Sequence, residues 1–87
     1  MSYRVTFKAS ADKALDKLPK SVHARIVERA MALIDEPRPV GSVKLAGAGG
    51  LWRIRIGDYR IVYLIDDERQ TVDIRIVAHR REVYRGL

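Results

Sequence analysis

Apolar and polar positions alternate at both ends of the chain and follow a longer period in between. Tyr3, Val5 and Phe7 alternate with Arg4, Thr6 and Lys8, which predicts a half-buried strand over residues 2–8. After Ser10, a candidate N-cap, Ala11, Ala14, Leu15 and Leu18 recur at helical spacing until Pro19. A second helical stripe, Val22, Ile26, Ala30, Leu33 and Ile34, predicts a helix from about Ser21 to Asp35, stopped by Pro37 and Pro39. Two helices joined this tightly make an αα-hairpin.

The period of two then returns. Leu51, Arg53 and Arg55 alternate with Trp52, Ile54 and Ile56, and Gly57-Asp58 supplies a two-residue turn. Tyr59 to Ile65 is apolar except for Arg60, the pattern of a central strand. After the polar turn 66–70, Val72, Ile74, Ile76 and Ala78 alternate with Asp73, Arg75 and Val77. The links between these three strands are too short for crossovers, so they form an antiparallel meander. The expected fold is α+β: β-α-α-β-β-β in a single domain over 1–87, with the αα-hairpin on one sheet face and the other face open.

Composition adds limits. At 87 residues, a chain buries only about 60–65% of its unfolded surface, so an added partner would matter for stability. There is no cysteine, which excludes disulfides and thiol catalysis and fits a cytoplasmic setting. The start has no apolar core of signal-peptide length, and no apolar run approaches the roughly 18 residues of a membrane span. No carboxylate or histidine cluster suggests a metal, and no cofactor is expected. Residues 41–50 hold four of the six glycines, yet no Lys-Ser/Thr pair follows them, so they read as a flexible connection rather than a phosphate loop.

Charge changes the picture more. Seventeen Lys and Arg face eleven Asp and Glu, for a net charge of +6, a balance that favours polyanionic partners. Residues 51–87 hold eight arginines and no lysine, while all five lysines lie before residue 51. Arginine's planar fork suits bidentate phosphate contact. Arg53 and Arg55 share the open face, and Arg60 follows the turn. Arg80 and Arg81 end the last strand, with Tyr84 close behind. Arg60 in an apolar strand needs a reason: a tie to Asp58 or Asp66, or a functional role. Arginines placed on a phosphodiester would stabilise the charge of its transition state, with the RNA 2′-hydroxyl as nucleophile. A guanidinium cannot accept a proton, so Tyr84 and His79 are the candidate bases.

The order β-α-α-β-β-β, the segment KLAGAGGLWRIRIGDYRIVY and the ending VAHRREVYR resemble the RelE/ParE superfamily of bacterial toxins from type II toxin–antitoxin pairs, and the RelE branch in particular. The resemblance spans essentially the whole chain. It implies a ribosome-dependent, metal-free endoribonuclease that cuts mRNA in the A site of the 70S ribosome, and a cognate RelB-like antitoxin that blocks it. By position, Arg53, Arg55, Arg60, Arg80 and Tyr84 match the family's catalytic set, and Lys44, Arg81, Arg85 and His79 are further candidates for RNA contact. The best-known members carry lysines where Arg53 and Arg55 stand, which leaves the proton acceptor open. Two alternatives remain: a ParE-like inhibitor of DNA gyrase with the same fold, and a non-catalytic RNA- or protein-binding domain.

Overall fold

The structure, a computed structural model, describes residues 2–86; Met1 and Leu87, the ends of the expected domain, lie outside it. Strand β1 spans Arg4–Phe7, helix α1 Ala9–Asp16 and helix α2 Lys20–Ala32. Four strands follow: β2 Val43–Lys44, β3 Leu51–Ile56, β4 Tyr59–Asp66 and β5 Thr71–His79. A one-turn 3-10 helix, Val83–Gly86, closes the described chain.

The helices start and stop earlier than the apolar periodicity predicts. Helix α1 begins at Ala9 with Lys8 in the N-cap position, so Ser10 lies inside its first turn and caps nothing. Helix α2 ends at Ala32, three residues before Asp35, and the chain tightens there through Leu33 N–H to Ala30 C=O and Ile34 N–H to Met31 C=O bonds. The Gly-rich connection is also more ordered than expected, since Val43 and Lys44 pair with Arg53 and Trp52 as a short edge strand.

The five strands run in the order β1-β5-β4-β3-β2. The meander is antiparallel, and β4 lies at its centre as the apolar run predicts. The first strand pairs in parallel with the last, placing Val5 beside Val72 and Phe7 beside Ile74. The helices cover one face. Ala11 and Leu15 of α1, and Ile26 and Ala30 of α2 with Leu33 after it, bury against Ile54, Ile56, Ile61, Tyr63, Val72, Ile74 and Val77. Burial of this apolar surface is the main force holding the layers together.

The strand alternation expected for β5 breaks once. Tyr63 pairs with Ile74 but Val62 pairs with Ile76, so Arg75 is an extra, bulged residue. The bulge reverses the parity of everything after it. Val77, expected on the open side, enters the helix-side core, while Ile76 and Ala78 move to the open side. Arg75 itself pairs with Asp73.

Candidate active site

The open face is built from the strand parity just described. Arg53 and Arg55 stand on β3 on the side away from the helices, because Trp52, Ile54 and Ile56 of the same strand pack toward them. The β3–β4 turn is Gly57-Asp58, and Gly57 has φ +59, the left-handed conformation that a Gly-first hairpin turn requires. This turn sets the register that places Arg60 directly opposite Arg55. On its other side Arg60 faces Ala78 of β5, whose small side chain leaves room for a guanidinium.

Arg60 is the buried centre of the group, only 8% exposed. Neither Asp58 nor Asp66 binds it. Its NH1 donates instead to the carbonyls of Gly57 and Tyr59, at 2.9 and 2.8 Å. These bonds fix the guanidinium without neutralising it. Burial lowers the pKa of Arg60 from its ordinary value, and the positive charges of Arg55, Arg53 and Arg80 lower it further. Ion pairs among the described residues join Arg38 to Asp67, Arg75 to Asp73 and Arg85 to Glu82; none reaches Arg53, Arg55, Arg60 or Arg80. Arg53 carries a second unmet need, because its Nε is buried with no acceptor among the described residues.

The C-terminal segment completes the face. Arg80 N–H donates to the Asp58 carbonyl at 2.7 Å, tying the end of β5 to the β3–β4 turn. Two residues past Arg81, Val83 is fully buried against the open side of the sheet. It was not among the residues singled out from the sequence, although an aliphatic side chain inside the charged run HRREVYRG was a signal for it. With Val83 anchored, the Tyr84 hydroxyl reaches Arg53, accepting a long hydrogen bond from NH1 at 3.4 Å, while the ring stays 48% exposed.

The structure therefore gathers Arg53, Arg55, Arg60, Arg80 and Tyr84 on one face. It does not bring every predicted residue there. Lys44 pairs with Trp52, so it stands on the helix side of the sheet edge. His79 pairs with Tyr59 and meets it ring edge to ring face, with centroids 5.5 Å apart, again on the helix side. Its Nδ1 accepts the Arg81 N–H at 3.2 Å. Arg81 is exposed, and Arg85 pairs with Glu82 at 3.1 Å. Chemically, the gathered face is a cradle of guanidinium donors with one phenol oxygen beside it.

A family model described as the ParE toxin of the parDE type II toxin–antitoxin system matches residues 3–84. The toxin RelG of Mycobacterium tuberculosis is 42% identical over 98% of this chain and 99% of its own length. The toxin RelE of the same organism is 37% identical, covering 95% of this chain and 87% of that protein. The toxin in the crystal structure of the archaeal RelE–RelB complex from Pyrococcus horikoshii superposes with a TM-score of 0.82 at 35% identity, over 92% of this chain and 97% of that one. By sequence and by fold alike, this chain belongs to the RelE/ParE superfamily of toxins from type II toxin–antitoxin systems.

Proposed function

We propose that this toxin is a ribosome-dependent endoribonuclease that cuts mRNA in the ribosomal A site, in the cytoplasm, under the control of a RelB-like antitoxin. One observation carries the reading: Arg60 is buried and charged, ringed by Arg53, Arg55 and Arg80, with no carboxylate among the described residues to balance it. Such an arrangement destabilises the free fold and makes sense when an anion completes it. A phosphodiester is the anion that planar, forked donors fit best.

In the proposed reaction the 2′-oxygen of the RNA forms a bond to the adjacent phosphorus, and the bond from phosphorus to the 5′-oxygen of the next nucleotide breaks. The products are a 2′,3′-cyclic phosphate and a 5′-hydroxyl, so one proton leaves the 2′-oxygen and one joins the 5′-oxygen. Arg60 holds the phosphate from below, and Arg55 and Arg53 stabilise the charge that grows on its oxygens. Tyr84 is the member of the set whose oxygen, as the phenolate, can take the 2′-proton and then, as the phenol, give one to the 5′-oxygen. Arg55, Arg80 and Tyr84 are exposed on a sheet face rather than enclosed in a cleft. Alignment of the RNA is left to the ribosome, which lowers the entropic part of the barrier. A neighbouring structure is a RelE–RelB complex, and an acidic antitoxin segment laid over the same arginines would silence the site by charge complementarity.

The ParE description of the matching family model favours a second reading, inhibition of DNA gyrase. A purified translation system separates the two. Cuts in the A-site codon that need ribosomes and vanish with Arg60→Ala support the nuclease. Intact mRNA together with inhibited gyrase supercoiling would move the assignment to the ParE-like activity.

A further inference from the structure

His79 leaves the open face because of the bulge at Arg75, yet its ring nitrogen is tied to the chain that re-enters that face. We propose that His79 is a positioning residue: its Nδ1 closes the turn that delivers Arg80 and Tyr84 to the arginine site. The role rests on the nuclease reading above, but the turn itself does not.

The geometry is that of an Asx turn made by an imidazole. In an Asx turn, a side-chain oxygen three atoms from Cα accepts the backbone N–H two residues on. Nδ1 of histidine is also three atoms from Cα, and here it accepts the N–H of Arg81 at 3.2 Å. The His79 carbonyl takes the next donor, Glu82 N–H, at 2.8 Å. Arg80 N–H, just before them, bonds the Asp58 carbonyl at 2.7 Å. Three successive amides are thus satisfied as the chain turns off β5 and folds back over the sheet. Val83 then drops into its buried position, and Tyr84 meets Arg53.

The ring stands edge-on to Tyr59 at an interplanar angle of 78°. The bond from Arg81 N–H commits the tautomer: Nδ1 must present its lone pair, so the ring proton lies on Nε2. His79 therefore acts on the site through the Arg81 backbone, from the opposite face, and touches no RNA. The alternative is that the ring merely packs on Tyr59.

Two variants and one spectrum decide between them. His79→Phe keeps an aromatic ring on Tyr59 and removes the acceptor. His79→Asn restores an acceptor at the same distance along the side chain and removes the ring. Loss of one such bond lowers the closed-to-open ratio of the turn by about 3- to 10-fold. In the purified translation system, kcat of His79→Phe should fall, by up to that factor, at unchanged KM, while His79→Asn recovers most of the loss. Equal losses in both variants, or no loss in His79→Phe, would overturn the inference. In the wild-type chain, long-range ¹⁵N–¹H correlation at mildly alkaline pH should show the Nε2–H tautomer, and an Nδ1–H ring would also overturn it. The Tyr84 ring shifts, read without ribosomes, should move in His79→Phe and return in His79→Asn. If wild type cuts no mRNA while these spectra hold, the nuclease reading has failed and the turn has not.

Discussion

Replacing Arg60 with methionine should make this protein more stable and leave it inactive. The side chain is 8% exposed and has no carboxylate partner among the described residues. Its cross-strand neighbour on the same face is another arginine, Arg55. Directly paired strand residues have Cβ atoms about 5 Å apart. Guanidinium groups splayed to about 7 Å repel by about 2 kcal/mol at an effective dielectric constant of about 20. Screening at physiological salt reduces this to about 1 kcal/mol, to which the burial of the ion adds. Methionine, flexible and comparable in length, fills the space without charge. Against these gains stand the bonds to the Gly57 and Tyr59 carbonyls, together worth about 1–2 kcal/mol net, part of which water recovers at the exposed turn. The balance is a gain of about 1 kcal/mol, or about 4–8 °C in the melting temperature of a domain this size.

The assay is thermal unfolding followed by circular dichroism at low and at 0.5 M salt, beside mRNA cleavage by the same preparations. The gain should shrink in high salt, because the repulsion it relieves is screened there. Cleavage should fall by at least about 100-fold, the usual cost of losing one donor aimed at transition-state charge. A variant that melts below wild type at low salt, or that still cuts, would refute the view of Arg60 as a charge held against the fold for the sake of its ligand.

Three further outcomes follow from the structure. Tyr84→Phe should slow cleavage by about 10-fold or more, with ribosome-dependent KM unchanged, if the phenol oxygen handles a proton; an unchanged rate would leave the tyrosine as a packing group on Arg53. Tyr63 is fully buried, donates to the Pro37 carbonyl at 2.8 Å, and has its pKa pushed up by burial to about 12. Its raised folded value means that its contribution is complete below pH 10 and is lost as pH climbs from 10 to 12, so the stability gap between wild type and Tyr63→Phe, followed by urea unfolding, should narrow across that window. Asp67 accepts from Arg38 and from the Tyr3 hydroxyl, and these bonds hold its carboxyl below the usual range. Its contribution is present above the unfolded carboxylate pKa and is lost as pH falls through the lower folded one, so Asp67→Asn should unfold in acid with a shallower pH dependence than wild type.

Much of the site was legible in the sequence because strand alternation is a local rule. LWRIRI puts Arg53 and Arg55 on one face and Trp52, Ile54 and Ile56 on the other wherever the strand lies, and Gly57-Asp58 fixes the register that brings Arg60 opposite Arg55. The charged arginine in an apolar run marked both a central strand and its unusual passenger. The family resemblance rested on these same local patterns, and it extended to the tail HRREVYR.

What lay beyond local pattern was decided by pairing between distant segments. The parallel partnership of β1 with β5 has no short-range signature. Lys44 falls on the helix side only because its partner across the ladder is Trp52. The sequence set out two carboxylates, Asp58 and Asp66, near Arg60, but the tertiary structure gives it carbonyls instead and leaves its charge uncompensated. One bulged residue matters most. Strict alternation from Val72 would carry His79 to the open face beside the arginines; the extra residue at Arg75 turns it to the helix side and moves Ala78 opposite Arg60. A bulge changes the parity of every later side chain at the cost of a single unpaired amide, a difference too small for propensity to specify. The packing of Val77 under the helices, rather than Ile76, is what selects it.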